Sequence, residues 1–236
     1  MDLTAFLPAD WRDARLLGRL QTAEGPTTVL AQGGRLYDIS RQAPTSAHAL
    51  SLAVIQEAGV DLGPLDEIRV SSAWSPLEDG VELLSPLDLQ CIKASGVTFA
   101  VSALERVIEE RARGDADAAN AVRSAILERI GGELKDLRPG SQEAEAVKAQ
   151  LIGEGLWSQY LEVAIGPYAE IFTKAPILAS VGWGAEIGVR SDSSWNNPEP
   201  EIVLVCDSKG RVAGACLGND VNLRDIEGRS ALLLGK

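Results

Sequence analysis

The 236-residue chain sets 22 lysines and arginines against 34 acids, a formal net charge of −12, with 45% hydrophobic residues. That length and apolar content suffice for a buried core, and an acidic chain without a Lys/Arg-rich run excludes a phosphate-gripping nucleic-acid binder. No basic stretch precedes an apolar run at the N-terminus and no run of about 18 apolar residues occurs, so neither a signal peptide nor a membrane span is expected.

Three scattered cysteines, Cys91, Cys206 and Cys216, form no metal-binding spacing and cannot all pair with one another. They suit a reducing compartment, and a cytoplasmic protein is expected.

In chain order, residues 14–74 read as short strands. "ARLLGRL" comes first, then "PTTVLAQ" and "RLYDIS" joined by Gly33-Gly34, a dipeptide that accepts positive φ and marks a hairpin. "DEIRVSSAW" is a further strand candidate. "SPLEDGVELLSPLDLQ", 75–90, with Pro76, Gly80 and Pro86 among acids, suits a connection between modules, and the boundary is placed near 85. The expected domains are 1–85 and 86–236.

The middle of the chain reads as helical. In 101–132, Val101, Leu104, Val107 and Ile108, then Ala121, Val122, Ala125, Ile126 and Ile130, recur at helical spacing before a Gly-Gly stop. "SQEAEAVKAQLIGEGL" is another helix, with Ser141 as N-cap. From about 165 the strand signals return in "YAEIFTKAPILAS", "AEIGVRS", "EIVLVCD" and "GRVAGACLG".

The last two of these runs flank the polar turn "DSKG", Asp207–Gly210, which predicts an antiparallel hairpin. With Asp207 facing Gly210, Glu201 lies opposite Cys216 and Glu199 opposite Gly218. Side chains two apart share a face, so Glu199, Glu201 and Asp220 point the same way, unless a one-residue bulge reverses the parity. Three carboxylates on one face repel unless a cation lies between them or the strand face is solvated. An all-oxygen set suits Mg²⁺ or Mn²⁺. For so acidic a protein a divalent ion is also the direct means of holding an anionic substrate.

The run "GWGAEIGVRSDSSWNNPEPEIVLVCDSKGRVAGACLGNDVNLRDIEGRSALLLGK", 182–236, resembles the fumarylacetoacetate hydrolase superfamily, particularly its 2-keto-3-deoxy sugar acid dehydratase branch. "KASGVTF" at 93–99 and the N-terminal strands resemble it more weakly. The implied fold is α+β: a small, mostly-β N-terminal module, then helices and the first part of a mixed β-roll catalytic domain.

The family's E-x-E pair and the aspartate of its N/D-D-V-S-like motif bind the divalent metal, which maps onto Glu199, Glu201 and Asp220. Glu170 in "YAEIFTKAP" matches a family acid, as fourth ligand or base. The family's active-site lysine follows "RDIEG", where this chain offers Lys236 and the usual spacing points just beyond it. Arg190, Ser191 and Asp192 are substrate-binding candidates.

Superfamily members that cleave carbon–carbon bonds place a histidine over the metal to activate water. This chain has one histidine, His48, in the N-terminal module, where a surface or structural role is expected. Where the histidine-bearing lid belongs, "SGVTFAVSALERVIEE" offers Ser95, Thr98 and Glu105. The resemblance therefore implies dehydration of a small anionic 2-keto acid, a 2-keto-3-deoxy pentonate, by a Mg²⁺- or Mn²⁺-dependent homo-oligomer. A carbon–carbon hydrolase and a non-catalytic fold homologue are the alternatives.

"ALLLGK" ends on an apolar run where family members continue, so a fragment is expected. Ile202, Leu204, Val212 and Leu217 on the hairpin call for a covering sheet. The 236 residues alone are expected to be inactive and poorly folded.

Overall fold

The computed structural model describes residues 2–52, 59–96, 107–108, 111–113, 115, 119–120, 137–153, 155 and 157–235. It divides into two compact units: Met1–Cys91 with Ala175–Gly188 and Val203–Cys216, and Ile92–Lys174 with Val189–Ile202 and Leu217–Lys236. Among the described residues no helix is long and apolar enough to cross a membrane.

The first unit is built on a six-stranded mixed sheet of β1 (Leu16–Thr22), β2 (Gly25–Gln32), β3 (Arg35–Asp38), β4 (Val60–Pro64), β5 (Val70–Ser71) and β6 (Val81–Leu84), in the order β4-β3-β2-β1-β6-β5. Gly33 and Gly34, at φ 59° and 75°, close the predicted β2–β3 hairpin with Gln32 opposite Arg35. Two successive positive φ values are what a two-residue hairpin loop requires, and glycine adopts them without a Cβ clash.

The run from Thr27 to Ala31 in β2 is buried without alternation. Val29 and Ala31 pack with Leu20, Leu36, Leu65 and Val70, whereas Leu30 packs with Ile39, Ala43 and Ala49. A central strand covered on both faces has no polar side to present, which is why "TTVLA" lacks a period of two.

The segment read as a connection contains β6, which pairs antiparallel with β1 and parallel with β5. Its prolines and glycine flank Val81–Leu84 rather than interrupt it, so turn signals obscured a four-residue strand. "DEIRVSSAW" forms a strand only at Val70–Ser71, because the chain turns at the Ser72–Ser75 bridge. "AEIGVRS" forms none. Just ahead of it the chain lies so close to β6 that a Cβ on Gly182 would fall 1.7 Å from the Leu83 carbonyl oxygen.

Asp88 ties this unit together. Its carboxylate accepts hydrogen bonds from the backbone of Ser46, Ala47 and Leu89, and Arg19 lies 3.7 Å away. The first two of those amides open α1 (Ser46–Ser51), so Asp88 supplies acceptors that a helix start lacks. Burial opposes the charge, but these bonds hold the Asp88 carboxyl below its usual value. A lowered value contributes stability above the unfolded pKa that is lost as pH falls through the folded one. Asp88→Asn is therefore expected to cost about 1–3 kcal/mol at neutral pH, a deficit that narrows below about pH 4. Denaturant melts at the two pH values check this, and an equal deficit at both would contradict it.

The second unit has a helical core. Leu161, Ala164 and Ile165 of α3 (Gln159–Ile165) and Ala144 and Leu151 of α2 (Gln142–Gly153) bury against Val107, Ile108, Ala112 and Ala119. The Ser141 hydroxyl accepts from the Ala144 amide and that of Ser158 from the Leu161 amide, so both helices start at serine N-caps. Most of the helical run expected over 101–132 lies outside the described residues. Three strand pairs complete the architecture: β7 (Ile92–Ser95) with β8 (Ile171–Ala175), β9 (Asn196–Asn197) with β12 (Asn222–Leu223), and β10 (Pro200–Cys206) with β11 (Val212–Asn219). A one-turn helix, α4 (Arg224–Glu227), follows β12.

On the β10–β11 hairpin Ile202, Leu204, Val212 and Leu217 are 74%, 60%, 60% and 86% exposed. All four are large apolar side chains left open to solvent on one hairpin.

Candidate metal centre

The hairpin brings three carboxylates together at its base. One oxygen each of Glu199, Glu201 and Asp220 lies within 4.8 Å of the others, the one such grouping of acids, histidines or cysteines among the described residues. Glu199 and Asp220 are half-buried and Glu201 is exposed.

The backbone explains the convergence. At the tip the Asp207 amide donates to the Arg211 carbonyl and the Gly210 amide to Asp207, with Gly210 at φ 74°, so the loop is one residue longer than the sequence pattern implies. At the base the Asp220 amide donates to the Glu199 carbonyl, placing Asp220 directly opposite Glu199 rather than diagonal to it. β11 is eight residues long and β10 seven, which accommodates the second shift. Two one-residue shifts restore the parity, and Glu199, Glu201 and Asp220 converge as the alternation predicts.

The Glu199 amide also donates to the Asn219 side-chain oxygen at 2.9 Å, so the hairpin base is bonded from both strands. Pro200, between the two glutamates, begins β10 where a missing N–H is tolerated.

Two cations that the sequence reading did not single out sit on this cluster. Arg224, at the start of α4, reaches Glu199 Oε1 at 2.9 Å through Nη2. Lys174, at the end of β8, places Nζ 2.8 Å from Asp220 Oδ1 and 3.6 Å from Glu227 Oε1, and donates to the Leu234 carbonyl at 3.3 Å. Burial raises the Glu227 carboxyl above its ordinary value; Lys174 and Arg224 oppose that shift, and Glu199 and Asp220 add to it. A signal for Lys174 was present: it stands four residues from Glu170, hence on the same side of an extended strand.

Glu170 lies outside the trio. Its Oε2 is buried, and a Cβ on Gly96 would come within 2.4 Å of it, so only glycine leaves room for this carboxylate. The Gly96 amide donates to the Glu170 carbonyl at 3.0 Å, which fixes the two segments side by side.

The remaining candidates are dispersed. Ser95 is exposed at the end of β7, while Thr98, Glu105 and Lys236 lie outside the described residues. Arg190 and Asp192 hold each other in an exposed two-bond pair at 2.9 and 2.8 Å, with exposed Ser191 between them. Nearby, Asp225 is buried and accepts from the Ser193 hydroxyl and the Ser194 amide. Burial works against its charge, yet these bonds keep its carboxyl below the usual range. His48 is exposed on α1 in the first unit, its amide donating to the Thr45 hydroxyl oxygen as part of a helix cap.

The donor set fits a hard divalent cation. Three oxygens on one strand pair leave coordination positions for water or a chelating ligand, and among the described residues no cysteine joins the grouping.

The fold is one that solved enzymes share. A hexagonal crystal form of 2-keto-3-deoxyarabinonate dehydratase matches 92% of this chain with a TM-score of 0.56 at 23% identity, and the chain covers 60% of that structure. A structure of 2-keto-3-deoxy-D-arabinonate dehydratase complexed with magnesium and 2,5-dioxopentanoate matches with a TM-score of 0.52 at 20% identity, 92% of this chain against 59% of that one.

In sequence, the chain is 41% identical over 86 residues to a 2-dehydro-3-deoxy-D-arabinonate dehydratase of Saccharolobus solfataricus, 36% of this chain and 28% of that protein. It is 43% identical over 75 residues to a protein of Haloferax volcanii named a probable 2-keto-3-deoxyxylonate dehydratase, 32% of this chain and 26% of that one. The aligned stretches thus span about a quarter of these relatives' length. No protein-family model matches the chain.

Proposed function

We propose that the full-length protein dehydrates a 2-keto-3-deoxy pentonate to 2-oxoglutarate semialdehyde with a divalent cation, Mg²⁺ or Mn²⁺, held by Glu199, Glu201 and Asp220. The observation that carries this reading is the convergence of those three carboxylates within 4.8 Å. The dehydratase relatives in sequence, and the magnesium and 2,5-dioxopentanoate complex among the structural neighbours, support it. A divalent ion held by these residues would offset the negative charge that develops on the substrate when C3 loses a proton.

The chain's own groups do the rest. Glu170, set apart from the trio and wedged against Gly96, is proposed as the base that takes the C3 proton. The C4 hydroxyl then leaves as water, and proton shifts along the remaining carbons leave an aldehyde at C5. Ser95, Thr98, Arg190, Ser191 and Asp192 stand as substrate-binding candidates, and Arg190 must share its guanidinium with Asp192 to serve. A cytoplasmic homo-oligomer with domains meeting near residue 85 completes the proposal.

The competing reading is hydrolysis of acylpyruvates, which calls for a water-activating histidine. The full-length protein given both substrate classes should consume the deoxy sugar acid alone, and His48→Ala should retain nearly all activity. Acylpyruvate cleavage without dehydration, or a large loss in the His48 variant, would replace the dehydratase reading by the hydrolase one.

A further inference from the structure

Glu199, Glu201, Asp220 and Glu227 bring four carboxylates to one end of the second unit, against the two cations Lys174 and Arg224.

The two cations differ in what they touch. Arg224 bonds the Glu199 carboxylate, whose backbone is already clamped by Asn219 and Asp220. Lys174 approaches Asp220 Oδ1 at 2.8 Å with only 16% of its side chain exposed, and its other contacts are the Glu227 carboxylate and the Leu234 carbonyl. Of these three oxygens the Leu234 carbonyl accepts a hydrogen bond, while Asp220 Oδ1 and Glu227 Oε1 are ion-pair partners of the ammonium.

This lysine does not set the backbone position of Asp220. The Asp220 amide donates to the Glu199 carbonyl, so the backbone across the hairpin base already sets where the aspartate stands. What the lysine adds is a positive charge in a partly dry, acid-rich pocket, where the lower effective dielectric makes it count for more than in water.

We propose that Lys174 is a resident counter-ion of the carboxylate cluster: it stabilises the metal-free fold and, by the same charge, weakens divalent-cation binding. The inference rests on the metal reading of Glu199, Glu201 and Asp220 given above. With Lys174 present, a metal arriving at the trio meets an aspartate whose Oδ1 is already paired. An ion held through Asp220 would share that carboxylate with the ammonium, and the two positive charges would repel. The device keeps four carboxylates together before metal arrives, and it leaves the ion loosely enough held to exchange.

The test uses the full-length protein and its Lys174→Met and Lys174→Arg variants, titrated calorimetrically with Mg²⁺ alone and melted with and without Mg²⁺. Lys174→Met should bind Mg²⁺ about tenfold or more tightly. Its metal-free form should melt several degrees lower, and saturating Mg²⁺ should recover most of that loss. Lys174→Arg should remain close to wild type in both measurements. Unchanged or weaker Mg²⁺ binding by Lys174→Met, while wild type binds, would overturn the counter-ion role and leave the metal site standing. A metal-free melt of Lys174→Met equal to that of wild type would overturn it equally. Absence of Mg²⁺ binding in both proteins would instead overturn the metal reading itself.

Discussion

Glu201→Gln in the full-length protein is expected to lower Mg²⁺ affinity by about a hundredfold or more, exceeding the 10–100-fold typical of losing a group one step removed from a metal. The amide keeps the shape of the side chain and one of its oxygens, and removes the charge that a hard cation requires. Asp220→Asn should act in the same direction. Calorimetric titration with Mg²⁺ reads the loss directly. A metal-free melting temperature close to that of wild type would show that the variant is folded and that the lost affinity is local. Undiminished affinity in Glu201→Gln would remove this residue from the site, and undiminished affinity in both variants would leave the cluster as an ordinary solvated acidic face.

Glu170→Gln is expected to separate binding from chemistry. Because Glu170 stands outside the trio, Mg²⁺ affinity should stay within a few-fold of wild type while kcat falls by about 10²–10⁴. Gly96→Ala provides an independent approach to the same group. The added methyl would sit 2.4 Å from Glu170 Oε2 and 2.9 Å from a Val163 methyl, so the carboxylate must move and kcat should fall with Glu170 itself unchanged. Affinity lost in Glu170→Gln as in Glu201→Gln would make Glu170 a fourth ligand. Full turnover in both variants would exclude it from the reaction.

Local signals made much of this legible in the sequence. Gly33-Gly34 encodes its hairpin because only glycine meets two successive positive φ values cheaply, and the strands on either side followed. The trio was legible because alternation is a strict period of two. The tip of the hairpin was not, since "DSKG" reads as a tight turn but forms a loop one residue longer, with Gly210 at positive φ. Parity survived only because a second shift at the base cancelled the first. Such compensation depends on long-range pairing that no short window contains.

Other features were hidden for related reasons. β6 is four residues long and carries a glutamate, and its place beside β1 is a tertiary fact. α3 had the signals of a helix, Ser158 before it and Gly166 after it, but it is only seven residues long and sits beside stronger strand patterns. Lys174 and Arg224 are ordinary cations in composition. They become part of the site only when β8 and α4 are brought to the hairpin base, although a crowd of carboxylates in a chain of net charge −12 must draw counter-ions from somewhere.

Ile202, Leu204, Val212 and Leu217 stand exposed on the hairpin that carries the trio. Burying such side chains contributes about 1.5–3 kcal/mol each, so a partner that covered this face would stabilise the hairpin.

The most direct measurement starts from full-length protein stripped of divalent ions by chelation. A 2-keto-3-deoxy pentonate is supplied, and the products are identified by mass spectrometry before and after Mg²⁺ is added. The proposed chemistry predicts no turnover until Mg²⁺ is present, then 2-oxoglutarate semialdehyde lighter than the substrate by one water. Turnover in the chelated sample, or pyruvate and glycolaldehyde from cleavage of the C3–C4 bond, would contradict it.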